Sequence, residues 1–416
     1  MSAGSLPAII ADDLTGAADT ALPFALQGWP TLVLLTAEGP VPADHVVALS
    51  TGSRALPPAA AAGAVRAAVA RLRPAGRRPL YKKIDSTMRG NVGAEVEAAL
   101  AAGGFRAACL TPAFPAMGRT VVAGRLLVDG RPVDETAFRW DPITPVWTAA
   151  IGALLAQQTA LPLRDLPLAV VRQPDRLIAH LQAARGIVIA DSETDDDLAA
   201  LARACLALPD LLPVGSAGLA TQIARLWGPA PGGMAERRRV ASRRPVLVVV
   251  GSAHPQAGLQ VSDLVQHGFP WALYTPDGRS ADREERRLEA AALQGLARHP
   301  AFVLTTRPPT TAPVAKTGRD DPAWVIGRVA ARVIVRYGPP NLGGVVVTGG
   351  DTALALCRAL GAEAIAITAA VLPGFPAGWL RGGAADGLPI VTKAGGFGPP
   401  SALGLAVRFL QEAGAD

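Results

Sequence analysis

Short apolar runs recur along the chain, and between most of them lie longer stretches with Ala and Leu at helical spacing. The runs predict strands at 6–11, 31–35, 46–49, 79–84, 107–111, 186–190, 246–250, 301–305, 344–348 and 389–393. The longer stretches predict helices at 57–73, 92–102, 195–208, 217–227, 283–298, 322–336 and 400–413. Parallel strands need a crossover connection and a helix is the usual one, so this alternation implies βαβ units. The expected fold is α/β: two lobes, each a mainly parallel sheet with flanking helices. Segment 120–134 breaks the alternation. Its apolar pairs flank Asp129-Gly130, residues suited to a tight turn, and predict a β-hairpin inserted in the N-terminal lobe.

At 416 residues the chain exceeds what one core usually supports. Gly228-Pro229-Ala230-Pro231-Gly232-Gly233, followed by Arg-rich 237–244, is the natural linker: turn formers, then charge, then a fresh apolar strand. It divides the chain into 1–232 and 233–416. The formal charge of +6 comes mostly from scattered Arg, and its densest clusters lack interleaved aromatics. Composition therefore disfavours a nucleic-acid partner and favours a small anion. No apolar run approaches the roughly 18 residues of a membrane span. The three cysteines stand far apart in apolar settings, as reduced thiols do. A cytoplasmic protein without a membrane partner is expected, and a homo-oligomer is left open.

Chemistry collects where the predicted strands end. Leu6 to Ile10 run directly into Ala11-Asp12-Asp13-Leu14-Thr15-Gly16 and then an Ala-rich helical stretch. That places Asp12 and Asp13 at the carboxyl edge of a sheet, where open α/β sheets bind ligands. Two adjacent carboxylates repel, so at least one needs a cationic, hydrogen-bonding or metal partner. The next such junction is Tyr81-Lys82-Lys83-Ile84-Asp85-Ser86-Thr87-Met88-Arg89-Gly90-Asn91. Arg89 has the planar fork that grips a carboxylate, Ser86 and Thr87 add hydroxyls, and Gly90 lets backbone approach a ligand. The competing reading is a capped helix start near Asn91 with Asp85 paired to a lysine.

Glycine-bearing junctions follow. Gly215-Ser216-Ala217-Gly218 and Gly251-Ser252-Ala253 each succeed an apolar strand, and either reads as an ordinary βα turn as readily as an anion cradle. Val345 to Val347 lead into Thr348-Gly349-Gly350-Asp351-Thr352-Ala353, whose paired glycines expose successive N–H groups to an anion. Asp351 is a candidate N-cap there, or a Mg2+ ligand through water. Ile390-Val391-Thr392-Lys393-Ala394-Gly395-Gly396-Phe397-Gly398 repeats the pattern. Of 40 Lys and Arg only four are lysine (Lys82, Lys83, Lys316, Lys393), and three of these stand in such junctions. Lysine binds phosphate as a compact point charge, a role arginine does not copy. GxxxxGK[ST] and the kinase set beginning GxGxxGxV are absent, so a nucleotide site here needs another scaffold. Acid-rich 191–197 is read as a helix start, with Thr194 and Asp197 approximating a capping box.

Taken in order, these segments resemble the four-carbon acid sugar kinase family over nearly the whole chain. The likeness rests on Ala11–Ala17, Lys82–Asn91, Pro112-Ala113-Phe114-Pro115 with Gly118-Arg119-Thr120, and Val133-Asp134-Glu135-Thr136 with Asp141-Pro142. Gly215–Ala220, Thr348–Ala353 and Lys393–Gly398 complete it. Departures are Met88 where Leu is usual, Ala394 where Ser is common, and Ser252-Ala253-His254-Pro255 where Ser-Cys-Ser-Pro is frequent. They bear on substrate choice, not on class.

The resemblance implies a sugar-acid-binding domain (1–232) for threonate, erythronate or 3-oxo-tetronate and a nucleotide-binding domain (233–416) for ATP with Mg2+. The 4-hydroxyl would become a phosphate ester. Carried over by motif, Ser252, Gly349, Gly350, Asp351, Thr352 and Gly395 would contact ATP, with Thr348 and Gly396 completing the loops and Lys393 stabilising phosphate charge. Arg89, with Lys82 or Lys83, is assigned to the substrate carboxylate, with Asp85, Ser86, Gly90 and Asn91 around it. Asp12 or Asp13 would bind substrate hydroxyls and one would accept the proton, Asp13 being preferred as base. Two other readings stand beside this one: a non-catalytic sensor of a sugar acid or nucleotide, and an aldolase or epimerase acting on a sugar-acid phosphate.

Overall fold

The structure, a computed structural model, describes residues 6–36, 38–77, 80–141, 143–231, 243–275, 281–308 and 321–412. The chain forms two compact units, one of Met1–Thr31 and Ala37–Met234, the other of Leu32–Thr36 and Ala235–Asp416. The expected linker core, with the 232/233 boundary, lies outside the described residues, as do Lys316 and Pro142.

In the first unit β1 (Ala8–Ala11) is buried throughout and leads into α1 (Leu14–Leu26), capped by the Asp13 side chain accepting from the Gly16 amide. β2 (Thr31–Leu34) passes into the second unit at Leu32. β3 (Val46–Ser50), α2 (Pro58–Leu72), β4 (Tyr81–Lys83), α3 (Val92–Gly103) and β5 (Ala107–Thr111) follow. β6 (Arg119–Val122), β7 (Arg125–Val128) and β8 (Arg131–Pro132) make a separate antiparallel sheet. The expected Asp129-Gly130 turn joins β7 to β8, and an Ala123-Gly124 turn with the same positive φ joins β6 to β7. The unit closes with α4 (Ile151–Ala156), β9 (Leu163–Leu166), α5 (Leu168–Val171), α6 (Pro174–Ala183), β10 (Gly186–Ala190), α7 (Asp195–Ala207), β11 (Leu211–Gly215) and α8 (Ala217–Trp227). Helix α7 starts with the Thr194/Asp197 capping box read from the sequence.

The strand order is β3-β1-β4-β11-β5-β10-β9, with every neighbouring pair parallel. From β1 the chain reaches β3 on one side and then β4 on the other. This reversal opens a crevice beyond the carboxyl end of β1, where Asp12 and Asp13 stand.

The second unit contains β12 (Val246–Val250), α9 (Pro255–Gln266), β13 (Trp271–Leu273), α10 (Ala281–Leu296), β14 (Ala301–Thr305), α11 (Pro322–Tyr337), β15 (Gly344–Thr348), α12 (Gly350–Ala359), β16 (Ala364–Ala370), β17 (Pro376–Arg381), β18 (Pro389–Lys393) and α13 (Ala402–Glu412). Its sheet runs β13-β14-β12-β15-β18-β17-β16-β2. The first five strands are parallel, and β17, β16 and β2 continue it antiparallel. Val246, Val248 and Val250 pack against Val261 and Leu264 of α9 and Leu403 and Val407 of α13. Here β12 is the strand from which the order reverses, so Gly251 and Ser252 occupy the place that Asp12 and Asp13 hold in the first unit.

Candidate active site

Three strand ends build the first cluster: β1 supplies Asp12 and Asp13, β3 supplies Ser53 and Arg54, and β4 supplies Lys83 through Asn91. Arg54 is the cation that the adjacent acids require. Its Nε lies 2.6 Å from Asp12 Oδ2, its Nη2 2.8 Å from Asp13 Oδ1, and its Nη1 3.6 Å from Asp85 Oδ1. Burial presses the Asp12 carboxyl upward, but the Arg54 guanidinium outweighs it and leaves the group below the ordinary carboxylate range. Asp13 accepts from the Gly16 amide at 2.8 Å and the Thr15 hydroxyl at 2.6 Å, which fixes its carboxylate at the helix start.

Asp85 pairs with an arginine rather than a lysine. Arg89 grips it with two parallel bonds of 2.9 Å, Thr87 donates to it as well, and a third Arg89 nitrogen reaches Asp141 at 3.1 Å. Buried Asp85 is consequently held well below the usual range by Arg89 and Arg54. Met88 takes a left-handed φ of 62° and Gly90 one of 88°, so this turn is strained at a side-chain-bearing residue. Ser86 is buried in the same turn, and Asn91 donates to the carbonyls of Ser53, Arg54 and Leu56. Asn91, Gly90, Arg54, Leu56, Ile143 and Thr144 help line a cavity of about 210 Å³.

The two adjacent lysines have opposite fates. Lys82 is fully buried, its ammonium 2.6 Å from Glu95, whose other oxygen accepts from Ser53. That ion pair and a bond to the Lys83 carbonyl at 2.8 Å occupy two of its three N–H groups. Lys83 forms no ion pair of 4 Å or less among the described residues. Its Nζ lies against α1 at Gly16, where a Cβ would stand 2.8 Å from it.

The second cluster occupies the carboxyl edge of β12, β15 and β18. Gly349, at φ 103°, is the cap of α12, and its amide donates to the Lys393 carbonyl at 3.0 Å. Asp351 therefore lies in the first helical turn and is not the N-cap expected from the sequence. A Cβ on Gly251 would overlap the Thr352 hydroxyl, and one on Gly395 would overlap the Ser252 hydroxyl. The buried hydroxyls of Thr348 and Thr352 have no hydrogen-bond partner among the described residues. Beside Gly396 stands the ring tip of His254, whose Nδ1 accepts from the Gln256 amide, an arrangement that puts the imidazole proton on Nε2.

Lys393 is fully buried, donates to the Gly395 carbonyl at 3.2 Å and lies over the Phe375 ring. Burial brings its ammonium down to about 7. Among the described residues no carboxylate pairs with it. Arg307, just past β14 and also buried, donates to the Ala253 carbonyl at 2.8 Å and so ties down the loop that carries Ser252.

Sequence reading missed Arg54 and Arg307. Each follows a predicted strand by a few residues, the same signal that exposed Arg89. Arginine is so abundant here that no single one stood out. Among the described residues no group of three or more His, Cys, Asp or Glu could hold a metal ion, and no helix is long and apolar enough to cross a membrane. All three cysteines are free and buried.

Comparison with known proteins bears on both clusters. A sugar-binding N-terminal domain model matches residues 7–223, and a nucleotide-binding C-terminal domain model matches 247–403. The D-threonate kinase of Bordetella bronchiseptica is 40% identical over 97% of each chain. The D-erythronate kinase of Heliobacterium modesticaldum is 30% identical over 97% of this chain and 96% of its own. A solved structure from Salmonella typhimurium LT2, described as a tRNA synthase, aligns at TM-score 0.77 over 98% of this chain and 100% of its own. At 23% identity it speaks for the fold alone.

Proposed function

Since the chain belongs to the family of four-carbon acid sugar kinases, we propose that it transfers the γ-phosphoryl group of ATP to the 4-hydroxyl of a four-carbon sugar acid, D-threonate being the first to test. The observation that carries this reading is the Asp12/Asp13 pair. It is fixed by Arg54 at the switch point of a parallel sheet, with the unpaired Lys83 ammonium beside it. Carboxylates so fixed accept from substrate hydroxyls, and the ammonium takes the substrate carboxylate. The adjoining cavity of about 210 Å³ suits a small acid, being below the range of sites that hold drug-sized ligands.

Residue roles follow from the bonds. Arg89 spends three nitrogens on Asp85 and Asp141, Arg54 spends its own on Asp12, Asp13 and Asp85, and Lys82 is locked to Glu95, so the carboxylate role falls to Lys83. Asp12, bidentate to Arg54, is a weak base; Asp13 is the proton acceptor for the attacking 4-hydroxyl. Gly90 and Asn91 line the cavity, and Asp85 and Ser86 are buried in the turn that leads to them.

On the ATP side the amides of Gly349, Gly350, Gly395 and Gly396 and the hydroxyls of Ser252, Thr348 and Thr352 receive the phosphates, and Lys393 balances their charge. Asp351, in the first turn of α12 beside the glycine loop, suits Mg2+, which keeps most of its waters and takes one or two carboxylates besides phosphate oxygens. Mg2+ bound with ATP would supply neutralisation of phosphate charge.

An ADP-release assay across D-threonate, L-threonate, D-erythronate and 3-oxo-tetronate tests the proposal. Release that depends on one acid is expected. A ligand-induced rise in Tm without turnover would instead mark a sensor, and acid consumption without ATP would mark an aldolase or epimerase.

A further inference from the structure

Helix α1 carries a second carboxylate, Asp19, that the mechanism above does not use. Lys83 reaches the helix surface at Gly16, the place where the missing Cβ leaves room for its Nζ. Asp13 lies three residues before Gly16 and Asp19 three after, a spacing that keeps all three on one helix face. The ammonium is thus flanked along α1 by two acids. Asp13 accepts from Arg54, Thr15 and Gly16, whereas the half-buried Asp19 makes no hydrogen bond or ion pair among the described residues.

Few charges surround Asp19. Beyond Asp13 on its own helix, β4 brings Lys83, Tyr81 and the Glu95-paired Lys82, strands β1 and β3 bear no titratable side chain, and α8 brings only Arg225 in its last turn, bonded to Gln222. Burial, reinforced by Asp13 and opposed by Lys83, pushes the Asp19 carboxyl up to about 6. A half-buried acid with no bonded partner lowers stability, so its presence beside the one unpaired lysine of the site calls for a role.

We propose that Asp19 is the counter-charge of Lys83, acting from beyond ion-pair distance, and that an arriving sugar-acid carboxylate takes over the ammonium while Asp19 picks up a proton from solvent. Sugar-acid binding is then coupled to proton uptake. The ligand identity rests on the kinase reading; the Asp19–Lys83 pairing does not. The sign follows from linkage. An anion placed on Lys83 raises the proton affinity of Asp19, so the acid binds more tightly as pH falls toward the free midpoint of about 6.

Calorimetry of D-threonate binding without ATP, at pH 6.5 in buffers of different ionisation enthalpy, reads the proton directly. The native protein should take up a substantial fraction of one proton, and its Kd should weaken about five- to tenfold between pH 6 and 8. Asp19→Asn should show a flat Kd and little uptake. Equal uptake and equal pH slopes in the two proteins would overturn the coupling. A carbon-13 titration of the Asp19 carboxyl, in native protein and in Lys83→Met, supplies a readout that needs no ligand. A midpoint raised by the loss of Lys83 supports the pairing; an unmoved one refutes it. If no four-carbon acid binds the native protein, the kinase reading and the proton-coupled exchange fall together, while the titration still decides the counter-ion assignment.

Discussion

The two clusters treat charge in opposite ways. In the first unit Arg54, Arg89 and Lys82 are each held by carboxylates, so the site is a lattice of internally matched ions with one ammonium to spare. In the second unit, glycines strip away side chains around buried hydroxyls, and the central cation, Lys393, pairs with no carboxylate among the described residues. The difference matches the ligands. A small polar acid is recognised by many fixed bonds, which demand rigid, pre-oriented groups. A triphosphate brings its own high charge, and a site neutralised in advance would gain little from it.

The largest effect should come from breaking the matched lattice. Lys82→Met leaves Glu95 buried and unpaired, and urea denaturation should show a loss of about 3–5 kcal/mol. Lys83→Met should leave stability close to native and weaken sugar-acid binding instead. Equal destabilisation by both would erase the distinction between the two lysines. Next in size, Asp13→Asn should lower kcat by about a hundredfold with ATP affinity intact, as loss of a base does; near-native turnover would take that role from it.

On the other side, Gly395→Ala forces a Cβ into the Ser252 hydroxyl and should raise the KM for ATP by roughly tenfold, or about 1.4 kcal/mol, without moving that for the acid. A matching rise in both constants would mean that the two clusters are not separately addressable. A further effect, read in Tm, concerns Lys393. Its ammonium titrates near 7 when folded and near 10.5 when unfolded, so the unfolded chain holds more protons across that interval and stability rises with pH through it. From pH 7 to 9.5 the native Tm should gain a few degrees relative to Lys393→Met; parallel curves would show that burial does not strain this lysine.

Much of this was legible from apolar patterning. Most strands buried on both faces announced themselves as apolar runs, Val246–Val250 being a plain case, but Leu211–Gly215, buried throughout and carrying Pro213, was not among the predicted strands. Some other strands did not announce themselves either. Leu163–Leu166 is half polar because it forms the sheet edge, and Ala364–Ala370 with Pro376–Arg381 alternate small residues against Gly378, which a Cβ would drive into the facing backbone. Asp12, Asp13, Asp85 and the glycine loops were visible because they interrupt apolar strands in short order. The pairing of Lys82 with Glu95 was not, since it depends on α3 lying across β4 and no local spacing encodes that contact. The helix cap at Gly349 in place of Asp351 shows a further limit: a left-handed φ of 103° at the glycine set the helix boundary, overriding the preference of an acid for that position.

Residues 32–36 have a practical consequence. The second unit borrows β2 from far upstream and pairs it with β16. A fragment cut at the junction near residue 235 would therefore lack its last strand and present a bare row of amides and carbonyls, ready to stick to its own kind. Gene rearrangements that shuffle whole domains cannot separate these two cleanly; they must inherit the upstream strand or travel together.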